Sequence, residues 1–203
     1  MKIHKPTYYL TLAAVLLAVC VVVLGAFTRL SDAGLGCPDW PGCYGFMWMP
    51  ETPDEIIQAT ELYPHAPFEA EKAWPEMVHR YFASTLGFLI ILINIFNWRH
   101  RHRSDQPFKL PIFLLALVII QGLFGMWTVT LNLWPQVVTA HLLGGFTTLS
   151  LLWLLSMRLN NRPWPQPSMP IRYWTALKPL AMIAMLLLIM QIALGGWLSS
   201  NYA

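Results

Sequence analysis

The sequence predicts an all-α integral membrane protein, a four-helix transmembrane bundle followed by a fifth transmembrane helix. Three observations carry that prediction. The 203 residues are 56% hydrophobic and 11% charged, where soluble domains carry about 25% charged residues. Five apolar runs, at 9–27, 77–96, 110–129, 137–157 and 177–198, approach or exceed the roughly 20 residues that a helix needs to cross a bilayer. Lys and Arg also segregate between alternate loops.

The first run reads as a retained span and not a cleaved leader, because it is long and no small-residue cleavage site precedes Arg29. An outer loop, 29–74, follows it. Loops of that length are usually functional or disordered. This one contains Gly34-Leu35-Gly36-Cys37-Pro38-Asp39-Trp40-Pro41-Gly42-Cys43, too rich in aromatic and turn residues for a linker. Cys37 and Cys43 fall on the oxidising side of the membrane, where disulfides persist, and the prolines and Gly42 can bend the chain back. A bridge across so short a loop would stabilise it by roughly 2 kcal/mol on the chain-entropy model. The pair reads either as a structural staple or as a redox-active dithiol, and the spacing favours the staple, because active dithiols are usually Cys-x-x-Cys. The acidic stretch 51–71, His65 included, reads as solvated surface, and Cys20 as packing within the first span.

The second span ends at Arg99-His100-Arg101-His102-Arg103, and the third and fourth complete the bundle. With the amino terminus inside, Lys2, Lys5, Arg99, Arg101, Arg103, Lys109, Arg158, Arg162, Arg172 and Lys178 are inner, while only Arg29, Lys72 and Arg80 are outer. That positive-inside bias implies a cytoplasmic amino terminus, and the chain reads as a multi-pass protein of a bacterial inner (plasma) membrane. The basic inner loops are then topology signals, a nucleic-acid partner is excluded, and His100 and His102 are interfacial. The domain reading is a bundle over 1–157, a cytoplasmic linker over 158–176, and a further helix over 177–203.

A weak repeat links the spans. Leu24-Gly25-Ala26-Phe27, Gln121-Gly122-Leu123-Phe124-Gly125-Met126-Trp127 and Gln191-Ile192-Ala193-Leu194-Gly195-Gly196-Trp197 each close an outward-going helix. The last two share Gln-x-x-x-Gly-x-Trp. Glycine and tryptophan are common at membrane interfaces, so the motif alone says little. Its coincidence with one histidine near the outer end of each returning helix, His79 and His141, says more. The chain thus reads as helix pairs that each deliver one histidine, with a third pair begun and not finished.

An imidazole within a span is a functional candidate, and it is also a leading haem ligand. Spans two and four run in the same direction and can face each other across a four-helix bundle, a usual place for cofactor sites. His79 and His141 could then take both axial positions of one haem iron. The competing reading for each is an interhelical hydrogen bond. Glu76, one turn outward from His79, could orient the imidazole or move protons, and Arg80 could pair with a haem propionate. Zinc is disfavoured because no third or fourth ligand lies at suitable spacing.

Thr28-Arg29-Leu30-Ser31, Gly34-Leu35, Cys37-Pro38-Asp39-Trp40-Pro41-Gly42-Cys43, Glu76-x-x-His79-Arg80 and His141 together closely resemble the haem A synthase (CtaA/Cox15) family. The resemblance covers the whole chain. It implies a tandem of two four-helix bundles, truncated here after the fifth helix, and oxidation of a methyl group of haem O to a formyl group, giving haem A for cytochrome oxidase. It further implies that His79 and His141 are the substrate-side pair, that Glu76 is the important acid, and that Cys37 and Cys43 are the outer-loop pair, disulfide-bonded or catalytic. Haem b, the family's cofactor, is expected in the missing second half, with haem O bound in this one. Haem O synthase, an electron acceptor and a second copy of the chain are the partners it leaves open. Two other classes compete: a non-catalytic membrane haem-binding or electron-transfer protein, and a quinone-linked thiol oxidoreductase, which would need a second outer cysteine pair.

Overall fold

The structure is a computed structural model that describes residues 5–102, 107–160 and 171–201. Lys2, Arg103, Arg162 and most of the expected linker therefore lie outside the described residues. Among the described residues six helices follow one another: α1 (Lys5–Leu30), α2 (Pro53–Leu62), α3 (Ala70–Arg99), α4 (Lys109–Thr130), α5 (Pro135–Leu159) and α6 (Ile171–Asn201). All but α2 are long and apolar enough to cross a membrane. These helices outrun the apolar segments seen in sequence. α3 starts at Ala70, before the apolar run at 77, because its first turns pack under the loop and not in lipid. α6 begins inside the stretch expected to be linker.

Packing is a closed ring. α1 lies on α3, α3 on α4, α4 on α5, and α5 returns to α1, while α6 rests on the outside against α5. α3 and α5 are thereby set on the diagonal. One hydrophobic cluster fills the ring away from the loop: Ala14, Val15 and Ala18 of α1, Leu86, Ile90 and Ile93 of α3, Leu114 of α4, and Leu152, Leu155 and Leu159 of α5.

A second, separate cluster lies in the loop: Cys37, Cys43, Tyr44, Ala59, Ala73 and Met77, with Phe46, Trp48, Tyr63 and Phe68 against it. The loop is thus a small folded cap. The expectation of plain solvated surface over 51–71 is corrected here, because α2 is built from that stretch and puts Ala59 fully inside the cap. Its start is a capping box, in which Thr52 Oγ1 accepts from the Glu55 amide at 3.3 Å and the Glu55 carboxylate accepts from the Thr52 amide at 2.9 Å. His65 stays exposed. The α4–α5 turn closes against the same cap. Its two left-handed residues, Asn132 and Leu133, aim Leu133 at Gly34, where a β-carbon would sit 3.2 Å from Leu133 Cδ2.

Candidate functional site

The layer between the two hydrophobic clusters holds buried polar groups of α3, α4 and α5, among them Glu76, His79, Gln121 and His141. Its loop side is organised by Glu76, which is 5% exposed. Glu76 Oε1 accepts from Arg80 Nη2 at 2.5 Å and Oε2 accepts from the Cys37 amide at 2.9 Å, with the Gly36 amide a further donor. The other arm of the guanidinium, Nη1, donates to the carbonyls of Asp39 (2.9 Å), Pro41 (3.3 Å) and Gly42. A buried ion pair survives only where its remaining hydrogen-bond capacity is met, and here the loop backbone meets it. One helical turn of α3 therefore holds the loop from Gly36 to Gly42.

The loop's own covalent and polar ties point the same way. Cys37 and Cys43 are joined as a disulfide. Asp39 Oδ1 and Oδ2 accept from the amides of Tyr44 and Gly45 at 2.6 and 2.9 Å. Burial, then the carboxylates of Glu69, Glu76 and Asp39, push the Tyr44 phenol above its ordinary value, so it stays protonated and donates to the Pro67 carbonyl at 3.1 Å. Gly36 has no room for a side chain, since a β-carbon would run into the Lys72 carbonyl. That close approach is what brings the Cys37 and Gly36 amides onto Glu76.

Below Glu76 come the imidazoles. His79, on α3, lies against Gly25 of α1, where a β-carbon would sit 2.9 Å from its Cε1. The Val21 carbonyl is the backbone partner of the ring, and Nδ1 is buried without one. His141, on α5, lies against Gly125 of α4, with a β-carbon position 3.4 Å from its Cε1, and its Nδ1 is likewise buried without a partner. Two unpartnered imidazole nitrogens in one apolar layer suit a planar group with an axial metal. Among the described residues no set of three or more His, Cys, Asp and Glu is placed to hold a bare metal ion.

The structure thus gathers Glu76, Arg80, Cys37 and Cys43 into one clamp, with His79 and His141 beneath it. Arg80 donates to Glu76 and to loop carbonyls. Sequence reasoning passed over Gly36 and Asp39, which shape the loop, and over Gly25 and Gly125, which seat the two rings. The repeat held the signal for those seats, since each glycine belongs to a repeated segment and faces the histidine of the next helix of the ring. At the opposite end of α3, a groove of about 490 Å³ beside Ile91, Trp98 and Phe108 lies away from this layer.

The family of cytochrome oxidase assembly proteins termed COX15-CtaA matches residues 8–203. A haem A synthase of Shewanella oneidensis is 49% identical over 183 residues, 90% of this chain and 54% of the relative, and one of Mesorhizobium japonicum is 30% identical over 190 residues, 87% and 52% respectively. A haem A synthase–mitochondrial ferredoxin fusion protein of Schizosaccharomyces pombe is 30% identical over 139 residues, 62% of this chain and 22% of that protein. The chain spans about half the length of the curated bacterial relatives it matches. No solved structure matches it.

Proposed function

The chain belongs to the COX15-CtaA family of cytochrome oxidase assembly proteins, and from that premise we propose that its first four membrane helices form a haem-handling unit whose substrate is haem O and whose product is haem A. The observation that carries the reading is the stack itself: a carboxylate held by Arg80 and the Cys37 amide, one turn from His79, above a pair of imidazoles with unpartnered nitrogens. His79 and His141 would grip the substrate's iron from opposite faces, each ring kept in place by a glycine of a neighbouring helix. The porphyrin would fill the layer between the two hydrophobic clusters, which excludes water from the reacting edge.

Turning a methyl group into a formyl group removes electrons and protons from carbon and adds one oxygen atom, so an external electron acceptor and an oxygen source, water or dioxygen, take part. Glu76 is the carboxylate placed to receive a released proton or to stabilise positive charge there. Its donors keep it aimed. Arg80 acts as a positioning residue for Glu76 and the loop, since both of its terminal nitrogens are engaged with them. The disulfide-bonded loop is then the roof of the site. The family's haem b would require an imidazole pair other than His79 and His141. The excess of Lys and Arg at the end opposite the loop supports a cytoplasmic amino terminus, with the loop on the outer face.

The test is haem extraction and pyridine haemochrome analysis from cells carrying this chain and a haem O source, comparing the parent with His79→Ala, His141→Ala and Glu76→Ala. The histidine variants are expected to lose bound haem, and Glu76→Ala to keep haem O while ceasing to form haem A. Parental haem A accumulation in Glu76→Ala refutes its assignment. The imidazole pair also suits a haem that only carries electrons; bound haem in the parent with no haem A at all favours that second reading.

A further inference from the structure

Gln121 opens the repeated Gln-x-x-x-Gly-x-Trp segment of α4, and neither the core packing nor the proposed chemistry employs it. It lies one turn further from the loop than Gly125, the seat of His141. Its side-chain amide is pressed onto Gly144 of α5, itself one turn beyond His141, so closely that a β-carbon at 144 would overlap Nε2. The amide is therefore wedged between α4 and α5 about one helical pitch, ~5.4 Å, deeper than the imidazole. Its Oε1 is buried and accepts no hydrogen bond. Buried acceptors are rarely left so, because the desolvation cost is not recovered. An unpaired one beside a ligand layer marks where a donor from the ligand belongs.

Few haem groups can donate. Propionates are ionised acceptors, the ring nitrogens are bound to iron, and methyl and vinyl groups carry no polar hydrogen. Haem O differs from protohaem in one arm, where a hydroxyl-bearing isoprenoid chain replaces a vinyl group, and that hydroxyl is its neutral donor. Depth agrees with chemistry. Ionised propionates belong at the loop end near water, which sends the isoprenoid edge the other way. A pyrrole edge lies about one helical turn from its iron, at the level of Gln121.

Resting on the reading of haem O as substrate, we propose that Gln121 Oε1 accepts a hydrogen bond from the hydroxyl of the isoprenoid arm. Gln121 is then the residue that distinguishes a hydroxyalkyl haem from protohaem, and Gly144 is the position that lets it do so.

The test is titration of haem O and of protohaem into the purified parent protein in detergent, beside Gln121→Met, which is near-isosteric but has no oxygen, and Gly144→Ala, which displaces the amide. The parent is expected to prefer haem O. Gln121→Met should weaken haem O binding about tenfold, the worth of one hydrogen bond, and leave protohaem binding unchanged. Gly144→Ala should show the same selectivity loss. A purely structural role would weaken both haems alike, and that result, or unchanged haem O binding in both variants, overturns the proposal. A parent that binds both haems equally overturns the proposal while the substrate-site reading stands. A parent that binds neither haem through imidazoles overturns both.

Discussion

Replacing Gly25 by alanine places a methyl carbon 2.9 Å from His79 Cε1 and 3.4 Å from its Nδ1. Ordinary carbon–carbon contact lies at about 3.5–4.0 Å, so the imidazole must withdraw by roughly 0.6–1 Å or α1 must separate from α3. Overpacking of this kind costs about 1–3 kcal/mol. The same change at Gly125 is far milder, because its nearest contacts, His141 Cε1 at 3.4 Å and Nε2 at 3.7 Å, border on ordinary packing. Gly87, on α3 with nothing within 4 Å of its β-carbon position, is the control, where alanine should gain up to about 1 kcal/mol of helix propensity. The assay is bound haem per protein, its absorption spectrum and the thermal midpoint in detergent. Gly25→Ala should lose most of its haem or show an altered axial-ligand spectrum, with a lowered midpoint. Gly125→Ala should change little, and Gly87→Ala not at all in its spectrum. If Gly25→Ala keeps parental haem content, spectrum and midpoint, His79 is not seated by α1 and the reasoning fails.

Three other outcomes follow from the loop. Arg80→Gln strands the buried Glu76 with backbone amides alone, which should cost about 3–5 kcal/mol locally; limited proteolysis should then cut between 34 and 47 where the parent resists. Cys37→Ser paired with Cys43→Ser should cost roughly 2 kcal/mol, read as faster amide exchange over 36–46 with exchange in α4 and α5 unchanged. Glu55 is held below the ordinary carboxylate value by the Glu51 and Thr52 amides. A lowered folded-state pKa contributes stability that is present above the unfolded value and is lost as pH falls through the folded one. Amide protection of α2 should therefore fall as pH drops below the ordinary value of 4.5, and Glu55→Gln should abolish that dependence.

Periodicity played little part in making this protein legible. Helix existence followed from apolar length, since a bilayer satisfies no backbone groups and forces hydrogen bonding within each span. Helix ends did not follow, because α3 gains its first turns from the cap and not from lipid. α2 was legible in principle, as Thr52-Pro53-Asp54-Glu55 spells a capping box, yet the surrounding acidic composition disguised it. The residues of the site were picked out because imidazole, carboxylate and paired cysteines are costly or unusual where they stand.

Their arrangement was another matter. Both Glu76 and Arg80 stood out in the sequence, but Arg80 turns back to Glu76 and to the Asp39–Gly42 carbonyls only because Gly36 lets the loop approach Lys72 so closely. Gly25 and Gly125 looked like general interface glycines until helix packing set each one against a ring. Chain chemistry alone decided how many spans there are, what sign of charge flanks them, and which side chains are out of place in hydrocarbon. Tertiary structure decided which of those side chains meet, because the ring order of α1, α3, α4 and α5 and the close contacts at Gly25, Gly36 and Gly144 depend on atoms far apart along the chain.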